Sequence, residues 1–193
     1  MKDRIDTLLS FLEEAEKLKL VERRNRISGG KRPESSAEHS YDLALWAVVL
    51  SQDLPRSLDL LRTLELILAH DLVEIYAGDT FLFDHAARRS KKAREDAAAK
   101  KLFGRLPSDL MKKFHRLWAE FEAGRTKEAK VAISIDRLQP MLQGLASGTP
   151  PWKKHGITEA ELQKYKRAYM LHDKNILTIY ERLLASARRK RMI

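Results

Sequence analysis

Cysteine is absent from all 193 residues. Disulfides and thiolate metal ligands are thereby excluded, and any bound metal must be held by His, Asp or Glu. Long apolar runs are missing too, since nothing approaches the ~18–20 residues of a membrane span. The opening stretch MKDRIDTLLSFLEEAEKLKL is too charged for a secretory signal. A soluble, cytoplasmic protein with no membrane partner is the expectation by elimination. β-type alternation, internal repeats and a domain linker are not found either. Aromatics make up 7% of the chain, and no zinc-finger or aromatic RNP-type motif is visible, so nucleic acid is not the favoured partner.

What the chain has is positive charge and helical periodicity. The formal charge is +10, which favours anionic partners. Much of it sits in clusters: Arg23, Arg24, Arg26, Lys31 and Arg32; then Arg88 to Arg94; then the tail Arg188-Arg189-Lys190-Arg191. The last two read as solvated helix faces or a terminus. The first lies shortly before His39 and can face a site there.

The length suits one domain with a substantial core. Residues 5–20 space Ile5, Leu8, Leu9, Leu12 and Ala15 as a helix. Residues 28–33 read as a loop. Ser35 to Glu38 forms a capping-box pattern that starts the next helix, with His39 in its first turn. Residues 57–76 predict a largely apolar, central helix that Gly78 ends. Further helices are expected at about 84–103, from Pro107-Ser108, after Thr126, and from a second capping box at Thr158 to Glu161. Pro140 is placed to kink the fifth of these segments counted from residue 35, KEAKVAISIDRLQPMLQGLA. The expected fold is all-α: one domain over 1–193, of seven to nine helices. Its diagnostic core is about 20–145, with helices 158–193 packed on it.

Four residues on these helices stand out: His39, the pair His70-Asp71, and Asp136. Asp136 lies among Ile133, Ile135 and Leu138, and a carboxylate in such a setting needs a cation or strong donors. An ion pair with Arg137 or Lys130 is the plain explanation; a metal is the other. His70 alone would read as a core histidine, but an acid follows it directly. Glu74 falls on the face of that pair, where a carboxylate can orient or deprotonate a water. Asp79, after Gly78, can reach the site from a turn. The remaining histidines, including His172-Asp173, lack such partners.

Together, RPESSAEHSYDLAL, ILAHDLVEIYAGDT and EAKVAISIDRLQPML resemble the HD-domain superfamily of metal-dependent phosphohydrolases, in the branch akin to 5′-deoxynucleotidases. The resemblance covers about residues 20–145. It implies an all-helical fold and one divalent cation, with Mn, Co, Fe, Ni, Zn or Mg all admissible, bound by His39, His70, Asp71 and Asp136. It implies release of orthophosphate from a nucleoside 5′-monophosphate or a similar small ester. Glu74 would activate the attacking water, Asp79 would assist catalysis or substrate contact, and Arg24, fifteen residues before His39, would bind phosphate with Lys31 or Arg32. A homodimer is the expected assembly. The chain departs from the pattern at residue 25: the nucleotidases carry a sugar-selecting Trp there, and this chain has Asn25. Two other readings compete. One is hydrolysis of a pyrophosphate-containing nucleotide; the other is a non-enzymatic, metal-stabilised protein that binds anions or nucleic acid.

Overall fold

The computed structural model describes residues 3–29, 31–55 and 57–193. Gly30 of the predicted loop lies outside them. Helix α1 spans Arg4–Ala15 and tightens into a 3₁₀ turn over Glu16–Leu20. A hairpin follows, with β1 at Glu22–Arg26 antiparallel to β2 at Pro33–Ser35. Then come α2 at Ser36–Leu50, α3 at Leu60–His70, α4 at Glu74–Ala77, α5 at His85–Phe103 and α6 at Ser108–Ala123. The chain continues through α7 at Lys127–Ser147, α8 at Pro151–Lys154, α9 at Glu159–Lys166 and α10 at Lys174–Arg189.

The cap signals act as expected. Both capping boxes are closed, Ser35 with Glu38 and Thr158 with Glu161. Thr126 accepts from the Ala129 amide and starts α7. The central element is α7. Its Val131, Ala132, Ile135, Leu138 and Met141 are fully buried between α2, α3, α6 and the C-terminal helices. A smaller core gathers Phe11, Val73, Leu102 and Phe103 beneath α1, with Phe11 edge-on to Phe114. Helix α7 runs unbroken through Pro140.

Two expectations need correction. The hairpin was not visible as strand, because its alternation is carried by polar residues. Asn25 is buried and Arg23 half-buried, while Glu22, Arg24 and Arg26 point to solvent. On α1, Ile5, Leu9 and Leu12 are 58%, 58% and 59% exposed; the packed row runs through Phe11. The helix expected over 57–76 starts at Leu60, where Asp59 caps it, and becomes a 3₁₀ turn at Asp71–Val73. That tightening lies directly beside His70, a place where such turns often mark function.

Candidate metal centre and active site

His39 sits in the first turn of α2, His70 at the end of α3, and Asp136 at the middle of α7. One donor atom from each lies within 4.8 Å of the other two. His39 is fully buried and His70 nearly so. The Asp136 side chain is 26% exposed, open on the cavity side.

The hydrogen bonds fix the tautomers of both imidazoles. The Nδ1 of His70 is 2.6 Å from the carbonyl of Ile67, which only accepts, so Nδ1 carries the proton. The Nδ1 of His39 is 3.0 Å from Oε1 of Gln139. Gln139 must present its oxygen there, because its amide nitrogen donates to Asp42 and to Oε1 of Gln143 at 2.8 Å each. In the neutral rings both Nε2 lone pairs therefore face inward. The Nε2 of His39 is 3.0 Å from Oδ1 of Asp136. The Nε2 of His70 is 3.0 Å from Oδ1 of Asp71 but off-line for a hydrogen bond, and is buried without a hydrogen-bond partner among the described residues. Two lone pairs and the Asp136 carboxylate are directed into one space, with Asp71 beside His70, and they repel one another. Only added protons or a cation can resolve this. Without a metal, protons are favoured: burial opposes the His70 imidazolium, but Asp71 and Asp136 outweigh it and raise its pKa to about 9. Asp136 moves the other way. Its burial is outweighed by His39 and His70, and its carboxyl stays far below the usual range. This donor set fits a divalent cation of borderline softness.

Around the centre stands a ring of carboxylates tied by Arg23. Its Nη1 is 3.3 Å from both Asp71 Oδ2 and Asp79 Oδ1, and its Nε is 3.4 Å from Glu34 Oε2. Asp71 thus touches His70 on one side and Arg23 on the other. Despite burial, His70 and Arg23 lower its carboxyl to about 2. Gly78 turns the chain with φ of 72°, conformational space that favours glycine, and so delivers Asp79 to the same ring. Glu74 is 5% exposed, and its Oε2 accepts from Ser36 Oγ at 2.6 Å. Burial first, then Asp71, pushes its carboxyl well above the usual range. Burial also raises Asp79, against the pull of Arg23.

These groups open onto a cavity of about 380 Å³, room for a small phosphate ester. Arg24 lies on its wall and also on that of an adjoining basic cavity of about 780 Å³, beside Arg26, Lys153 and Lys154. Lys31 and Arg32 line neither cavity; Arg32 turns outward onto both oxygens of Glu38. Sequence reasoning placed Arg23 only within a basic cluster and Arg137 only as an ion-pair partner for Asp136, and it missed Glu34, Gln139 and Lys166. Gln139, one turn after Asp136, carried a signal in its spacing. Arg23 required the strand register, and Lys166 in a polar helix carried none.

Helices that bring two histidines and an aspartate together in this way define a class. The chain belongs to the HD domain family, whose family model matches residues 15–175. The human 5′-deoxynucleotidase HDDC2 is 35% identical over 138 residues, which is 71% of this chain and 66% of that protein. The Danio rerio protein of the same name is 32% identical over 140 residues, 72% of this chain and 68% of its own. The chain thus spans about two thirds of the length of these curated relatives. The crystal structure of a predicted metal-dependent phosphohydrolase from Magnetospirillum magnetotacticum superposes with a TM-score of 0.90. It is 35% identical, and the match covers 98% of this chain and 97% of that one. A protein from Pyrococcus furiosus, 21% identical with a TM-score of 0.63 over 94% of this chain and 99% of its own, shares the fold. Among the described residues no helix is long and apolar enough to cross a membrane.

Proposed function

We propose that the protein is a metal-dependent phosphohydrolase that releases orthophosphate from nucleoside 5′-monophosphates or closely similar phosphate esters. One observation carries the reading: His39, His70 and Asp136 converge on one point, with Glu74 and Asp79 in the same cavity wall. The likeness to 5′-deoxynucleotidases supports the substrate class.

In this reading His39, His70, Asp71 and Asp136 hold one divalent ion, whose identity among Mn, Co, Fe, Ni, Zn and Mg the donor set leaves open. Such an ion, when bound, polarises a phosphoryl oxygen and acidifies water. Gln139 and the Ile67 carbonyl hold the two imidazoles in the ligating tautomer. Glu74 accepts the proton of the attacking water, and burial together with Asp71 raises its basicity for that work. Asp79, in the same wall, assists catalysis or contacts the substrate. Arg23 fixes Asp71 and Asp79 relative to each other. Arg24 contacts the substrate from the mouth of the cavity, where Lys31 and Arg32 have no part.

The protein acts as one domain and as a homodimer. Tyr41, Leu45, Val48 and Val49 on α2, with Leu61 and Leu68 on α3, stay 47–70% exposed and give an apolar face for a second copy. Val48→Glu should yield a monomer by light scattering; an unchanged mass would remove that assignment. A cytoplasmic location belongs to the same reading; cell fractionation tests it.

The test of activity is metal-loaded protein with a panel of nucleotides. Orthophosphate should be released, and Asp136→Asn should reduce release to background with loss of bound metal. Release of pyrophosphate from nucleoside triphosphates instead would favour the alternative hydrolysis. No turnover of any ester would overturn the enzymatic reading.

A further inference from the structure

Among the described residues, two buried or half-buried cations line the cavity without a carboxylate to meet them. Arg137 follows Asp136 on α7, and Lys166 ends α9; both face the 380 Å³ space. Lys166 is 6% exposed. Its hydrogen bond among the described residues goes to the backbone carbonyl of Arg137, 2.6 Å away. Two of its three ammonium hydrogens are thus free of a protein acceptor. The Arg137 guanidinium lies 3.7 Å above the ring of Tyr169, and its Nε is buried without a hydrogen-bond partner among the described residues. Of the other basic side chains on the cavity wall, Arg24 and Arg88 are exposed to solvent. Arg23 meets three carboxylates, and Lys91 is 2.8 Å from Glu95.

Buried cations are normally paired, because desolvating a charge without a counter-ion is expensive. Here two stand side by side. Asp136, the acid beside them, is committed to His39. The ligand that completes this arrangement is an oxyanion with several acceptors and more than one negative charge. A phosphate group meets both conditions, since it can accept from a guanidinium and an ammonium at once.

We propose that Arg137 and Lys166 form the phosphate-holding pair of the cavity, gripping non-bridging oxygens of the bound ester. Naming that phosphate the scissile one rests on the phosphohydrolase reading; the anion site itself does not. Arg23 then keeps the carboxylates in place, while Arg137 and Lys166 bind what they act on.

The experiment titrates inorganic phosphate calorimetrically into metal-loaded wild-type protein, Lys166→Met, Arg137→Gln and the exposed control Lys112→Ala. KM and kcat for a nucleoside 5′-monophosphate are measured in parallel. Each site variant should bind phosphate about 10- to 100-fold more weakly, the usual scale for a lost charge-assisted hydrogen bond. KM should rise with it, and Lys112→Ala should match wild type. If Lys166→Met melts too low to assay, half-buried Arg137→Gln carries the test. Wild-type phosphate affinity and KM in a folded Arg137→Gln or Lys166→Met protein would overturn the pair while leaving the hydrolase standing. Weakened phosphate binding in the variants, with no ester turned over by wild type, would leave the pair standing and remove the hydrolase.

Discussion

On one wall of the cavity Arg23 meets Asp71, Asp79 and Glu34; on another, Arg137 and Lys166 meet a backbone carbonyl and a tyrosine ring. The first wall is neutralised from within. Its cation is held even more firmly protonated than an ordinary arginine, because Asp79 and Asp71 outweigh its burial. On the second wall burial, aided by Arg137, pulls the Lys166 ammonium down to about 7. A charge satisfied by protein groups serves geometry. A charge left unsatisfied in a cavity serves a ligand, and the cost of burying it is offset only when that ligand arrives.

The strongest way to break this contrast is at Glu74, the carboxylate that the first wall keeps basic. Glu74→Gln keeps an acceptor for Ser36 but loses the proton acceptor, so kcat should fall about 10²- to 10⁴-fold with KM little changed. Stability should move the other way. The folded-state pKa of Glu74 is raised above the unfolded value, so its stabilising proton is fully present below the ordinary glutamate range and is lost as pH rises through the raised value. Chelator-treated wild type should therefore lose stability across that window, and Glu74→Gln should be flatter and more stable by about 1 kcal/mol at neutral pH. Denaturant melts at several pH values check this; a less stable Gln variant would show that Glu74 is not under strain.

Arg23→Met tests the internal neutralisation itself. It leaves three carboxylates facing one another, and breaking a buried pair in this way costs about 3–5 kcal/mol. A variant within 1 kcal/mol of wild type in urea melts would mean that the ring does not depend on Arg23. Gln139→Leu acts more gently. It removes the acceptor that fixes the His39 tautomer, and metal affinity should fall about 10- to 100-fold. Unchanged affinity in a metal-competition titration would place the ordering of His39 elsewhere.

How legible these walls were in the sequence differs with their chemistry. Helix starts were readable because Ser35, Thr126 and Thr158 act locally on their own amides. The metal-facing residues were readable because His and Asp in apolar helices are costly without a purpose. Arg23 was hidden behind Arg24: hydropathy alternation cannot reveal a strand whose inward residues are Arg and Asn, so only the register of β1 separates them. The exposure of Ile5, Leu9 and Leu12 on α1 was not legible, because Leu and Ile keep helical spacing in sequence whether or not a neighbour covers them. Lys166 was invisible for a related reason. Its helix is polar, and its burial comes from α7, almost thirty residues earlier in the chain.

The finest test of the second wall is Tyr169→Leu. The Tyr169 ring is 43% exposed and makes a cation–π contact with Arg137 at 3.7 Å. Such a contact is worth about 0.5–1 kcal/mol at an exposed site, so its loss should weaken phosphate binding by about 2- to 5-fold. The charge of Arg137 is untouched, which separates orientation of the guanidinium from its presence. In the Arg137→Gln background the same Tyr169→Leu change should do nothing further, because there is no cation left to orient. An equal loss in both backgrounds would show that Tyr169 touches the ligand by itself, and Arg137 would then owe its position to α7 alone.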